Sequence, residues 1–157
     1  MIRLSKRLLY TIDAVLDVAL HEDAGPVRSS EITDREEIAA RYLEPVLQQL
    51  VREKILIGST GPTGGYQLGR APEQISLGDI VRIVQRLETG EDALTESSGS
   101  ILARRVVRPL WADLESEMMQ RLDGITIKEL LARARRKAKR ARSPSTSVFA
   151  TRPTRAR

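Results

Sequence analysis

Residues 55–68 read ILIGSTGPTGGYQL, two short apolar runs joined by a tip of Gly58, Ser59, Thr60, Gly61, Pro62, Thr63, Gly64 and Gly65. Glycine accepts the positive φ that a tight reversal demands, so the stretch predicts a β-hairpin with strands over Ile55–Ile57 and Tyr66–Leu68. Three helical patterns precede it. A small hairpin placed directly after a run of helices leaves few architectures open to a chain of 157 residues.

Leu4, Leu8, Ile12, Val15, Leu16 and Ala19 recur at helical spacing, with Lys6, Arg7, Asp13 and Asp17 on other faces, and predict a helix from about Leu4 to His21. Gly25-Pro26 ends the linker after it. Ser29 or Ser30 is then expected to cap a short helix from Glu31 to about Glu36, with acids in its first turn as the helix dipole prefers. A third helix, from Ala39 or Ala40 to Lys54, turns Leu43, Val46, Leu47, Leu50 and Val51 inward and Arg41, Glu44, Gln48 and Arg52 outward. Two helices across a short turn, the second with a polar face, form a helix-turn-helix. Pro45 conflicts with this locally, since it removes one helical hydrogen bond, and is expected to kink the third helix.

Ser76 with Asp79 three residues on reads as a capping box opening a helix to about Leu87. Residues 88–100, ETGEDALTESSGS, are small, acidic and aperiodic, and predict a loop. From Ile101 to Leu122 the positions Val107, Trp111, Leu114, Met118 and Leu122 step by three or four. That narrow seam suits a partner helix better than a broad core. Pro109 starts the regular part of this helix or bends it, and Gly124 breaks it. Thr126 and Glu129 form a second capping box, launching a helix that fades into RARRKAKRAR, and the Ser/Thr/Pro/Arg-rich end is expected to be disordered. The predicted fold class is mainly α with a small β-hairpin wing: a winged helix-turn-helix plus a long dimerisation helix. Its divisions are 1–87, 88–100 as loop, 101–140 as dimerisation and C-terminal helices, and 141–157 as a basic tail.

Composition removes several functions. The chain has no cysteine, which excludes disulfides, thiolate zinc sites, cysteine nucleophiles and cysteine-ligated clusters. With one histidine, His21, a metal would rest almost wholly on carboxylates. His21 itself is expected at a solvated helix end. The glycine-rich tip lacks the GK[ST] ending of a nucleotide phosphate loop, and no Ser-His-Asp set exists, so an enzyme is not expected and no cofactor is assigned. The apolar run LLYTIDAVLDVAL is thirteen residues long and carries Asp13 and Asp17, too short and too charged to cross a bilayer. No membrane partner is expected, and the cytoplasm is the expected location. Net charge is +5, yet residues 128–157 hold eleven Lys/Arg against one acid, leaving 1–127 at −5. The basic end can support nucleic-acid binding without reading sequence.

Three stretches together carry a family resemblance: GPVRSSEITDREEIAARYLEPVLQQLVREKIL, GPTGGYQLGRAPEQISLGDIVR and LWADLESEMMQRLDGITIKELL. With the Tyr42-Leu43-Glu44 trio, the Gly61-Pro62-x-Gly64-Gly65-Tyr66 wing and the Ile125-Thr126-Ile127 step, the chain resembles the Rrf2 family of bacterial winged-helix transcription regulators over about residues 3 to 131. The resemblance implies a homodimeric, sequence-specific DNA-binding regulator, a repressor, on a near-palindromic operator. Known members hold an iron–sulfur cluster through three cysteines before the long helix; here that loop has none, so a cluster-lacking member is implied. The family's wing arginine is replaced by Thr60, the serine capping its recognition helix by Ala39, its turn glycine by Glu37, and a common base-reaching residue by Pro45.

Major-groove reading needs long polar side chains near the start of the recognition helix, and Arg41, Glu44 and Gln48 fit. Arg41 matches guanine, Glu44 a cytosine amine, Gln48 adenine or a phosphate. Lys6, Arg7, Arg28 and Ser29 would grip phosphates beside the groove, and Thr60, Gly61 and Thr63 would meet backbone or minor groove at the wing. Tyr42 is expected to pack beneath the helix. Val107, Trp111, Leu114, Met118 and Leu122 are the expected dimer interface. The alternative is a protein-interaction adaptor, or a regulator controlled by a protein or small-ligand effector, with weakened specific DNA reading.

Overall fold

The computed structural model describes residues 3–88 and 100–142, with side chains through residue 137. Helix α1 spans Lys6–His21, starting two residues later than its apolar pattern because Ser5 takes the cap, its hydroxyl accepting from the Leu8 N–H at 3.1 Å. Leu8, Ala14, Val15 and Val18 are buried along its inner face. The same face buries Asp17, 2% exposed, which its charge had placed outside. Its two carboxylate oxygens accept from Nε and a terminal nitrogen of Arg35 at 2.8 Å each, and His21 Nδ1 lies 3.2 Å away. Removing one partner of such a pair strands a buried charge, so the pair fixes how α1 meets the helix that carries Arg35.

Helix α2 runs Ser29–Glu36. Its cap is Arg28, whose N–H donates to the Glu31 carboxylate at 2.7 Å, so Ser29 is the first helical residue rather than the cap. The turn that follows needs a left-handed residue, and Glu37 occupies it at φ 53°. That costs a non-glycine side chain about 1 kcal/mol. Ile38, 2% exposed, anchors the turn in the core.

The Glu36 carboxyl is pushed above its usual range, first by burial and then by the neighbouring Asp17 and Asp13 carboxylates, with Arg35 and His21 acting the other way. Burial also raises Asp13. A carboxyl raised on folding holds its proton more tightly in the folded chain, so stability falls as pH rises through the folded value and is flat above it. Glu36→Gln is therefore expected to raise Tm at about pH 7 and to leave it unchanged near about pH 3, below the unfolded value. A lower Tm at the higher pH would contradict this.

Helix α3 spans Ala40–Arg52 and buries Leu43, Val46, Leu47 and Leu50. Pro45 sits inside it without interrupting it. An internal proline costs about 3 kcal/mol, while each fully buried Leu or Val contributes roughly 1.5–3 kcal/mol, so four of them outweigh it. Strands β1 (Leu56–Ser59) and β2 (Gly65–Leu68) pair antiparallel, Leu56 opposite Leu68 and Ser59 opposite Gly65. Val27 joins their edge: its N–H and carbonyl both pair with Tyr66, at 2.9 and 2.7 Å. A Cβ on Gly65 would lie 2.7 Å from the Val27 carbonyl oxygen, so only glycine permits this approach.

Helix α4 (Leu77–Glu88) opens on a reciprocal capping box between Ser76 and Asp79 and buries Ile80, Val81, Ile83 and Val84. A five-residue π-helical segment, Ala103–Val107, leads into α5 (Arg108–Asp123). Pro109 cannot donate to the carbonyl four residues back, and the widened turn just before it accommodates that loss. Arg82 grips Asp123 through two bonds of 2.7 and 2.6 Å, joining α4 to α5 and holding the Asp123 carboxyl below its usual range. Leu77 and Ile127 donate to the carbonyls of Ile125 and Ile75, docking the start of α6 (Ile127–Arg142) on the core, where Ile127 and Leu131 are buried. The predicted helical fold with a hairpin wing is the observed one. Residues 141 and 142, assigned to the tail, belong to α6. The expected loop, apart from Glu88 and Ser100, and the tail beyond 142 lie outside the described residues.

Candidate nucleic-acid interface

With its apolar side in the core, α3 turns Arg41, Tyr42, Glu44, Pro45, Gln48 and Arg52 to solvent. Arg41 and Gln48 stand two turns apart, roughly 10 Å along the axis. Tyr42 does not pack beneath the helix. It is 51% exposed, its ring lies 6.3 Å from that of Tyr10, and the Arg41 guanidinium sits 4.8 Å above it.

Two clefts flank this helix. One, about 750 Å³, lies between the start of α1, the first turns of α3 and the end of α4, and is lined by Arg3, Lys6, Arg7 and Arg41 with Tyr10 and Tyr42. Among the described residues Glu88 is the one acid in its lining, held by the Ser5 hydroxyl at 2.7 Å. Arg7 donates to the Leu87 carbonyl at 3.3 Å, so the start of α1 grips the end of α4 twice.

The other cleft, about 710 Å³, lies between the start of α2, the far end of α3 and the wing. Arg28, Ser29, Gln48, Arg52, Thr60 and Gly61 contribute to its lining, and among the described residues no carboxylate does. Gly61 adopts φ 103°, which few other residues would accept. The expected contact residues thus fall into two groups, Lys6, Arg7 and Arg41 on one flank, Arg28, Ser29, Gln48, Thr60 and Gly61 on the other. Glu44 lies on the exposed face of α3 and Thr63 at the exposed wing tip, outside both linings. The linings add Arg3 and Arg52, which sequence reasoning missed as contact residues. Arg52 had a usable signal, standing one helical turn beyond Gln48.

An exposed polar helix flanked by two cationic clefts is an arrangement suited to a polyanionic duplex. The major groove, about 12 Å wide, admits one helix, and a phosphate strand runs along each rim. In protein–DNA complexes of this kind, charge beside the rims fixes position and polar side chains on the helix read base edges.

The apolar stripe of α5 lies open. Val107, Trp111, Leu114 and Met118 are exposed, as are Ile101, Leu102, Val106 and Leu110 before and among them. Leu122 is different: it is half-buried and packs with Met119 on the chain's own core. Among the described residues no three His, Cys, Asp or Glu side chains gather as metal ligands, and no helix is long and apolar enough to cross a membrane.

The family described as Rrf2, iron-dependent transcriptional regulator, matches residues 4–133. The HTH-type transcriptional regulator IscR of Aliivibrio salmonicida is 33% identical over 129 residues, covering 82% of this chain and 77% of that protein. Among solved structures, T. potens IscR superposes with a TM-score of 0.67 at 27% identity, over 92% of this chain and 93% of its own. CymR, the global cysteine regulator of B. subtilis, does so with a TM-score of 0.66 at 25% identity, over 84% and 98%. These relatives are regulators of transcription, not enzymes.

Proposed function

The chain belongs to the Rrf2 family of DNA-binding transcription regulators, and on that premise we propose a homodimer that binds a near-palindromic operator, represses from it, and carries no iron–sulfur cluster. The observation that carries the DNA reading is the placement of α3 between two cationic clefts. In this reading residues 1–87 contact the duplex and 101–140 hold the dimer together through the open stripe of α5. Two-fold symmetry then sets two copies of α3 on half-sites about 34 Å apart. Lys6, Arg7, Arg28 and Ser29 take phosphates, Arg41, Glu44 and Gln48 meet base edges, and Thr60, Gly61 and Thr63 approach at the wing. Repression is the sign that the family resemblance implies.

The family's iron-dependent description meets a donor set that does not match it. A thiolate-held cluster needs cysteines, and the chain has none; a single histidine cannot replace them. The residues present do not fit such a group.

The test is a mobility-shift titration of the full chain against its own promoter region, with scrambled competitor, at two salt concentrations. Preference for the promoter duplex at both salts is expected. Equal affinity for scrambled DNA would remove the claim of specific regulation and leave an adaptor role.

A further inference from the structure

We propose that Arg28 supplies the positive charge that the wing itself lacks, holding a duplex phosphate against the wing tip. The inference rests on the DNA-binding reading above and adds one residue's mechanism to it. From Leu56 to Leu68 the wing carries no Lys, Arg, Asp or Glu, so nothing within it attracts a polyanion. The charge comes from the neighbouring segment. Val27 is locked to Tyr66 by its two backbone hydrogen bonds, and Gly65 lets the two chains touch, which sets residue 28 beside the hairpin. From there a terminal nitrogen of Arg28 donates to the carbonyl of Pro62, at the tip.

That bond uses one of five guanidinium N–H donors. The side chain is exposed, and the rest of its fork remains available to a phosphate. The nearest acid on the same element, Glu31, is engaged by the backbone N–H of Arg28. Around the fork, the cleft adds Arg52 and the hydroxyl-bearing residues Ser29, Ser30 and Thr60, and among the described residues no carboxylate lines it. Two guanidiniums, hydroxyl donors and an approachable glycine backbone suit a phosphodiester, which offers acceptors and negative charge and no donors. Docked on Pro62, the guanidinium is also held in place before DNA arrives, so less rotamer freedom is lost on binding.

The bond to Pro62 could alternatively serve only to brace the hairpin, and the experiment separates the two. A duplex is recovered from a random-sequence pool on the full wild-type chain, and its affinity is measured across a salt series for wild type, Arg28→Gln and the double variant Arg28→Gln/Thr60→Arg. Circular dichroism confirms that each is folded. Arg28→Gln is expected to bind roughly tenfold or more weakly, with a salt slope shallower by about one for each phosphate no longer neutralised. Thr60→Arg, restoring a cation at the tip from the wing's own strand, is expected to recover most of both. Wild-type affinity and slope in Arg28→Gln would overturn the proposal. So would weaker binding with an unchanged slope that Thr60→Arg does not rescue, which marks a brace. Failure of the wild-type chain to select any duplex would instead overturn the DNA-binding reading itself.

Discussion

Trp111→Glu is expected to convert the protein to monomers in sedimentation velocity at concentrations where the wild type is a dimer, and to weaken operator binding at least about 100-fold. The physical basis is the face of α5. Leu110, Trp111, Leu114 and Met118 are each between 44 and 58% exposed, and no buried residue lies on this helix. A stripe of that length open to water is costly for an isolated chain, and a second copy laid against it would cover the same stripe twice. Tryptophan is its largest member, able to bury about 150–250 Å². A glutamate there must be desolvated without a partner, and symmetry brings its counterpart close to it, so the penalty is incurred twice. The effect on DNA follows from linkage. A dimer engages two half-sites as one unit, whereas a monomer has the contacts of one half and must repeat the entropic cost of association for the other. Because Trp111 takes no part in the core, helicity should be preserved, which separates this variant from an unfolded one. A stable dimer of Trp111→Glu would show that the stripe is not the seam.

The fold was legible where one element's own periodicity decides its state. The alternation that buries Leu43, Val46, Leu47 and Leu50 is visible in sequence, and so are the glycines of the wing and the capping box at Ser76. What escaped was decided by partners distant in sequence. Asp17 looks like a surface residue until Arg35, on another helix, brings two hydrogen bonds to it. Leu122 continues the stepped pattern of the α5 seam, but the helix docks at that end on α4, so the residue turns to the chain's own core. Tyr42, expected beneath the helix, is 51% exposed. Its neighbours Arg41 and Tyr10 instead give it an aromatic and cationic surface that leaves it in water.

The candidate interface was legible to a different degree. The exposed face of α3 could be read from spacing, since Arg41, Glu44 and Gln48 avoid the buried positions. Its division into two clefts could not. One cleft exists because Ser5 and Arg7 fasten the end of α4 to the start of α1, across eighty residues of sequence, and the other because Val27 adds itself to the hairpin edge. Neither link involves a repeating pattern. Each is a pair of hydrogen bonds whose partners are set only when the core has formed.

Arg41→Ala is expected to reduce operator affinity by roughly 30-fold to 10⁴-fold while reducing affinity for scrambled duplex far less. A bidentate arginine–guanine contact contributes about 1–3 kcal/mol of discrimination, and a symmetric dimer makes it twice, giving roughly 2–6 kcal/mol. In the free protein the guanidinium rests 4.8 Å over the Tyr42 ring, an exposed contact worth about 0.5–1 kcal/mol that must be given up or carried along when the fork meets a base. That offset is small beside the expected gain, so the base contact should dominate. Arg41 also lines the cleft with Arg3, Lys6 and Arg7, and a phosphate there would give it a second role that reads no sequence. Arg41→Lys separates the two. Lysine keeps the charge but not the planar fork, so a base-reading role predicts that Arg41→Lys retains scrambled-duplex affinity and loses most of the operator preference. A phosphate role predicts that Arg41→Lys is near wild type on both duplexes and that Arg41→Ala weakens both by the same factor, with a flatter salt slope. Proportional weakening of that kind would move Arg41 from the bases to the backbone and leave Glu44 and Gln48 as the residues that read the operator.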